Sequence, residues 1–149
     1  QDTFISSTFN TERIGPVAAL KTLEIMERTQ SWKKICKIGE QIRSEWVYLS
    51  KKNNLNINIT GLKSNFKFTI DSKNWIKYKT FITQEMLKKG FLSSNLIFVS
   101  LAHTDEILGS YFDALHDVFS IISECENGIY SIDDLLDGEV CHSGFKRLT

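Results

Sequence analysis

The chain has 149 residues, of which 42% are hydrophobic and 24% are charged. These are ordinary globular proportions, and they exclude intrinsic disorder as the main state. The 18 basic and 18 acidic side chains cancel, so the composition gives no electrostatic reason to expect binding to nucleic acid or to an anionic membrane. No apolar run approaches the roughly 20 residues needed to span a bilayer, and we expect no membrane partner.

The three cysteines do not have the number or spacing of a disulfide framework. Cys36, Cys125 and Cys141 are widely spaced and odd in number, which argues against disulfides and favours a reducing, cytoplasmic compartment. Cys141 is followed by His142, but the sequence contains no CxxC or HxxxH pair of the kind that binds zinc. We therefore expect no metal site. The chain begins with Gln1 and shows no leader-like segment, which predicts a processed protein or a piece of a longer one.

Two helices are predicted at the start of the chain. Thr11 is expected to cap the first, which has Pro16 near its beginning and runs to about Arg28. Ser31 is expected to cap the second, which ends near Lys52. The second helix carries an apolar stripe at helical spacing: Trp32, Ile35, Cys36, Ile42, Trp46 and Leu49.

Alternating apolar residues then predict three strands, at residues 55–60, 66–70 and 96–101. Gly61 lies between the first two, which favours an antiparallel pair. A helix from about Asn74 to Lys89, closed by Gly90, separates the second and third strands. Thr104 is expected to cap a long helix, and Ser131 a short one over residues 132–136. This order predicts an α+β fold, in which helices cover one face of a small antiparallel three-stranded sheet.

The aromatic residues on these helices are predicted to belong to the core and not to a base-stacking surface. They are Trp32, Trp46, Trp75, Phe112 and Phe119.

Few residues point to chemistry by their spacing alone. Ser6, Ser7 and Thr8 precede the first helix, where backbone amides and the helix dipole favour a phosphate, although a plain turn and cap fits the same spacing. Arg147 can bind a carboxylate through two hydrogen bonds, although its place near the end of the chain is typical of a solvated side chain. Cys141 as a nucleophile assisted by His142 is disfavoured, because adjacent side chains of an extended segment point to opposite faces.

An acidic cluster lies near the last helix. It is better explained by helix capping and solvation than by a metal. Its members are Asp133, Asp134 and Asp137.

Five segments, in their order and spacing, carry a resemblance to a known family. They are ISSTFNTERIGP at 5–16, TQEMLKKG at 83–90, HTDEI at 103–107, YFDAL at 111–115 and CHSGFKRL at 141–148. Together they resemble the class III pyridoxal-phosphate-dependent aminotransferases, and most of all the glutamate-1-semialdehyde 2,1-aminomutase branch of that family. The resemblance extends over essentially the whole chain.

The resemblance implies a part of a fold-type-I enzyme that works as a homodimer. Residues 1–30 would be the remnant of the large cofactor domain, and residues 31–149 the C-terminal small domain. Thr8, preceded by Ser7, matches the residue that reaches the phosphate of pyridoxal phosphate, and Arg147 would lie on the substrate side. No lysine of this chain has the glycine-rich context of the family's Schiff-base lysine. We therefore expect the parent to transfer an amino group on a small amino or keto substrate, and this chain alone to be inactive.

A second interpretation is a free-standing, non-catalytic interaction or dimerisation domain with the same fold. The two interpretations differ in the surface that they predict. A small domain separated from a large one should expose apolar residues, and the first helix, around Val17 and Leu20, is where we expect them.

Overall fold

A computed structural model describes residues 11–142 and Gly144 of the chain. Its elements, in chain order, are α1 (Ile14–Thr29), α2 (Ser31–Lys52), β1 (Ile57–Leu62), β2 (Asn65–Ile70), α3 (Trp75–Lys88), β3 (Leu96–Phe98), α4 (Asp105–Glu126) and a short 3-10 helix (Ile132–Leu135). This order confirms the predicted succession of helices and strands. No helix within these ranges is long and apolar enough to cross a membrane.

The chain divides into two compact units, residues 1–34 and residues 35–149. The first contains α1. The second contains the sheet, α3, α4 and most of α2. The division between residues 30 and 31, which the family resemblance implies, stays a prediction.

The sheet is antiparallel throughout, with β2 in the centre. Ile59 faces Phe68 across the first pair of strands, and Phe66 faces Ile97 across the second. Along β2 the side chains of Phe66 and Phe68 are buried while Lys67 between them is exposed, as the pleat requires. The sheet therefore has one apolar face and one open face.

Three helices pack on the apolar face and meet at Phe68. Its ring lies 4.8 Å from that of Trp46 on α2, 5.6 Å from Phe119 on α4 and 6.2 Å from Trp75 on α3, measured between ring centroids. All three pairs are edge-to-face, the arrangement that aromatic quadrupoles favour. The predicted fold class, with helices on one face of a three-stranded sheet, is confirmed.

A glycine permits the close approach of α2 to the sheet. A Cβ atom added at Gly39 would lie only 1.8 Å from the carbonyl oxygen of Lys63, in the turn between β1 and β2. The side chain of Lys63 also pairs with the carboxylate of Glu40 on the next position of the helix. Only a residue without a side chain fits at position 39, so the spacing between helix and turn depends on it.

Two helix ends follow the sequence prediction. Gly90 has a φ of +87° and its N–H donates to Leu87 O at 2.9 Å, while the N–H of Phe91 donates to Met86 O at 2.9 Å. These are the paired bonds that close a helix at a left-handed glycine. Thr104 caps α4, because its Oγ1 accepts from the N–H of Ile107 at 3.4 Å.

Three predicted caps are wrong. α1 begins at Ile14, two residues after the position that a Thr11 cap requires, and Arg13 precedes it without a side-chain cap. Ser31 lies inside α2, where its hydroxyl is buried without a hydrogen-bond partner among the described residues. Ser131 precedes the 3-10 helix, but its side chain caps nothing. Hydroxyl residues suit a cap chemically, and the backbone conformation of the neighbouring turn decides whether one forms.

The buried stripe of α2 is shorter than predicted. Trp46 has no exposed surface, whereas Trp32 is 42% exposed. The core cluster draws on α2 only from Ile35 onward, so the periodicity identified the correct face but not its length. Among the other predicted core aromatics, Phe119 is fully buried, and Trp75 and Phe112 pack against the core while partly exposed.

Two of the three predicted strands are displaced or shortened. β1 begins two residues later than predicted and continues through Gly61 to Leu62, because the pairing with β2 extends to Asn65. β3 ends at Phe98, three residues earlier than predicted. The pattern of apolar residues located each strand, and the pairing partner set its limits.

Candidate functional site

The residues that the family resemblance assigns to cofactor and substrate lie outside the described part of the chain. Ser7, Thr8 and Arg147 all fall there. Their predicted roles, contact with the cofactor phosphate for the first two and with substrate for the third, stay predictions.

Cys141 is held by α3. Its backbone N–H donates to Thr80 Oγ1 at 3.0 Å, and its sulfur lies 3.8 Å from the carbonyl oxygen of Ile76. His142 is exposed. Of the other cysteines, Cys125 is half-buried on α4, and burial raises the pKa of its thiol, which disfavours the reactive thiolate. The described residues contain no group of three metal-binding side chains.

The acidic cluster is engaged in ion pairs with α3. Asp133 lies 2.6 Å from Lys77 Nζ, and Asp137 lies 2.7 Å from Lys88 Nζ. These contacts give the cluster a structural role, since they hold the segment that follows α4 against α3. Gln84 strengthens the same junction, because it donates to Leu135 O at 2.9 Å and accepts from the N–H of Asp137 at 2.8 Å.

A cavity of about 250 Å³ opens between β3, the loop before it and the start of α4. Its lining is mostly apolar and consists of Phe91, Leu92, Ser93, Leu96, Ile97, Phe98, His103, Ile107, Leu108 and Tyr111. Concave, mainly apolar pockets with a few polar groups are where proteins most often bind. This cavity is the candidate functional site of the described residues.

His103 lies at the side of the cavity. Its Nδ1 lies 3.1 Å from the backbone nitrogen of Ser100, which donates to it. In the neutral imidazole the proton must then sit on Nε2. The neutral side chain of this lining residue therefore carries one ring N–H donor, at Nε2.

Tyr111 forms the inner wall. Its hydroxyl accepts from Trp46 Nε1 at 3.1 Å, and its ring lies 5.9 Å from that of Phe91. Burial raises the pKa of the phenol to about 12, so the group is neutral at physiological pH. A neutral, hydrogen-bonded phenol positions neighbouring groups, and it is not a base.

The sequence patterns did not identify the cavity or the place of Tyr111 in its wall. One signal was present. The loop after Gly90 begins with two large apolar residues, Phe91 and Leu92, where a solvated loop normally carries polar ones. Leu92 is 97% exposed.

Comparisons with known proteins agree with the family resemblance. No protein-family model matches the chain. In an alignment 133 residues long that covers 80% of this chain, it is 26% identical to glutamate-1-semialdehyde 2,1-aminomutase of Sulfurisphaera tokodaii, of which the match covers 32%. The fold is similar to that of the FumI protein of Sphingopyxis sp. MTA144, solved in its pyridoxal-phosphate internal aldimine form, with a TM-score of 0.74. That match has 20% sequence identity and covers 91% of this chain and 33% of the other.

The chain thus spans about a third of the length of each of these relatives. The resemblance recognised in the sequence is confirmed by the similarity to the aminomutase, and the fold by the similarity to FumI.

Proposed function

We propose, from this similarity in sequence and fold, that the chain is the C-terminal part of a class III pyridoxal-phosphate-dependent aminotransferase or aminomutase. The parent would move an amino group on a small amino or keto compound, as a cytoplasmic homodimer. The observation that carries the proposal is the agreement of two independent comparisons, one of sequence and one of fold, on proteins about three times longer than the matched part.

The exposed apolar side chains of α1 support the proposal. The helix has no buried residue, and its large apolar side chains Ile14, Val17, Leu20 and Leu23 are 60–74% exposed. At 100° per residue these four positions point in widely different directions around the helix axis. Successive members of this set are about 60° apart, so they occupy about half of the circumference of the helix. An exposed apolar face as wide as this is suited to be covered by further polypeptide.

The cofactor would be bound partly by residues of this chain. Thr8 and Ser7 lie shortly before α1, where a hydroxyl can hold a phosphate oxygen. Arg147 is proposed to contact a substrate carboxylate through its planar guanidinium. When bound, pyridoxal phosphate supplies the electron sink that amino-group transfer needs. The family's Schiff-base lysine has no counterpart in this sequence, and we propose that the chain is inactive alone.

The test uses the complete polypeptide that contains residues 1–149, taken from its natural source. After incubation with pyridoxal phosphate and reduction with borohydride, its peptides are mapped by mass. A pyridoxyl-lysine located before Gln1 is the expected result. A complete polypeptide that carries no label would contradict the proposal.

Thr8→Val tests the phosphate role in that polypeptide. The substitution removes the hydroxyl and keeps the shape, so we expect weaker cofactor binding, measured by absorbance titration. Thr11→Val is the matched control, because the structure shows Thr11 exposed and outside α1. Equal affinities in the two variants would remove Thr8 from the site.

The alternative, a free-standing interaction domain, is favoured by one observation. Residues 35–149 contain a core of their own, centred on Trp46, Phe68 and Phe119, and therefore have what independent folding requires. A 149-residue chain that runs as a monomer at high dilution and binds no hydrophobic dye would weaken the fragment proposal and favour this alternative. Dye binding that falls in a Leu20→Gln, Leu23→Gln variant would instead favour the fragment, because it would locate the uncovered surface on α1.

A further inference from the structure

An exposed apolar surface lies beside the candidate site. It is formed by Leu62, Leu92, Leu96, Phe98 and Ile107, which we call the β3 surface. Leu62 is 75% exposed, Leu92 97% and Phe98 66%. Single exposed apolar residues are common, but a contiguous group of this kind marks a binding surface.

The strand register joins the three members of the group that lie on strands, and the lining of the cavity joins these to Leu92 and Ile107. Asn65 is the partner of Leu62 on one side and of Phe98 on the other, so these side chains form one row on the open face of the sheet. Lys67 is likewise the partner of Leu96. Leu96 lines both the cavity beside α4 and a groove on the open face of the sheet, which joins the two.

The size of the cavity limits what it can hold. An apolar cavity of about 150 Å³ accommodates a benzene ring, and this one measures about 250 Å³. It is smaller than the roughly 300–1,000 Å³ of ordinary small-molecule sites. One aromatic or large aliphatic side chain fits, as the anchor residue of a protein interface does when it enters a pocket surrounded by apolar contacts.

The charge of the surface indicates what accompanies the anchor. Among the described residues, those that line the cavity and the groove include the cation Lys67 and no carboxylate. Lys67 forms no ion pair with the described part of the chain, and Asp105 and Glu106 lie only at the margin, next to Ile107. A carboxylate on the occupant, near Lys67, would complement this surface.

We propose that the β3 surface is where the cofactor-bearing portion of the same parent polypeptide packs, with an apolar anchor in the cavity and a carboxylate at Lys67. The inference rests on the proposed function. About two thirds of each relative's length lies outside the part that matches this chain. If the parent of this chain is as long as these relatives, the rest of the same polypeptide can cover the β3 surface, and no second protein is needed.

The test compares carbene footprinting of the 149-residue chain with that of the complete natural polypeptide. Labelling of Leu92 and Phe98 should fall several-fold in the complete polypeptide. Leu87 on α3 is the matched control, since it is 59% exposed and lines neither the cavity nor the groove. In the complete polypeptide, Phe98→Gln should restore labelling at Leu92, and Leu87→Gln should not.

Zero-length carbodiimide crosslinking identifies the occupant. The expected product joins Lys67 to an acidic residue of the cofactor-bearing portion within one chain. A crosslink between isotopically distinct copies would overturn the inference in favour of a second copy as the occupant. Suppose that the complete polypeptide carries the pyridoxyl-lysine, but that its Leu92 and Phe98 are labelled as strongly as in the 149-residue chain. This result would overturn the inference and leave the proposed function intact. A complete polypeptide without that lysine would overturn both.

Discussion

Trp46 Nε1 donates a hydrogen bond of 3.1 Å to the hydroxyl of Tyr111, and this bond joins the centre of the core to the wall of the cavity. The same indole packs edge-to-face on Phe66 and Phe68, with ring centroids 5.0 and 4.8 Å apart. The position of Tyr111 on α4 is therefore fixed from α2 and from the sheet at once. The shape of the candidate site depends on core residues that are remote in sequence.

Tyr111→Phe should destabilise the fold. The substitution leaves the buried indole N–H of Trp46 without its acceptor, and an unsatisfied buried donor costs about 1–3 kcal/mol. Urea denaturation followed by tryptophan fluorescence measures the free energy of unfolding. Tyr130→Phe is the control, since Tyr130 is half-exposed and should give no change. Equal stability of the two variants would show that the bond contributes nothing net.

Stability should fall with pH above 10. Burial raises the pKa of Tyr111 to about 12, and burial together with the hydrogen bond to Glu126 raises that of Tyr78 to about 12, from an ordinary value of 10.0. Between these values the unfolded chain loses both protons while the folded chain keeps them. The stabilisation is complete below pH 10 and is lost as the pH rises through about 12.

Denaturation midpoints between pH 9 and 12, together with tyrosinate absorbance at 295 nm, check this pH dependence. The Tyr111→Phe variant should lose stability less steeply than the unmodified chain, because one of the two protons is then absent. A folded chain in which all tyrosines ionise together near pH 10 would contradict the prediction.

Gly39→Ala should be strongly destabilising. The added methyl group would collide with the Lys63 carbonyl at 1.8 Å, and this oxygen belongs to the backbone of a tight turn that cannot easily move. Overpacking of this kind costs about 1–3 kcal/mol or more.

Gly109→Ala is the matched control for position 39. Gly109 also lies within a helix, and an added Cβ meets nothing there within 4 Å. Alanine is the better helix former by roughly 0.5–1 kcal/mol, so this variant should gain stability. Thermal and urea denaturation of both variants should move in opposite directions. If both move in the same direction, helix α2 does not contact the turn as described.

Gly90→Ala should cost about 1–2 kcal/mol, since a side chain disfavours the left-handed backbone conformation at the end of α3. Gly90→Asn should cost less, because asparagine tolerates that conformation. The two variants add a side chain at the same open position, where a Cβ meets no atom within 4 Å, so their difference isolates the backbone effect. Equal losses in urea denaturation would indicate that the conformation at residue 90 is not the cause.

The sequence alone determined the order of the elements and several of their ends. The closure of α3 at Gly90 and the cap of α4 at Thr104 are interactions among neighbours in the chain, so local chemistry predicts them. Alternation along β2 likewise identified Phe66 and Phe68 as the buried face, because the pleat makes the period of a strand independent of its partners. The family resemblance, which is carried by short segments spread over the chain, could also be recognised without a structure.

The tertiary structure alone decided which positions meet. That Gly39 contacts the turn at Lys63, that Trp32 stays exposed while Trp46 is enclosed, and that His103 and Tyr111 face one cavity all depend on how elements pack. Periodicity says which face of a helix is apolar, but it carries no information on where along its length another element arrives. The cavity lies where β3 ends beside α4, and its lining joins residues that no local pattern relates.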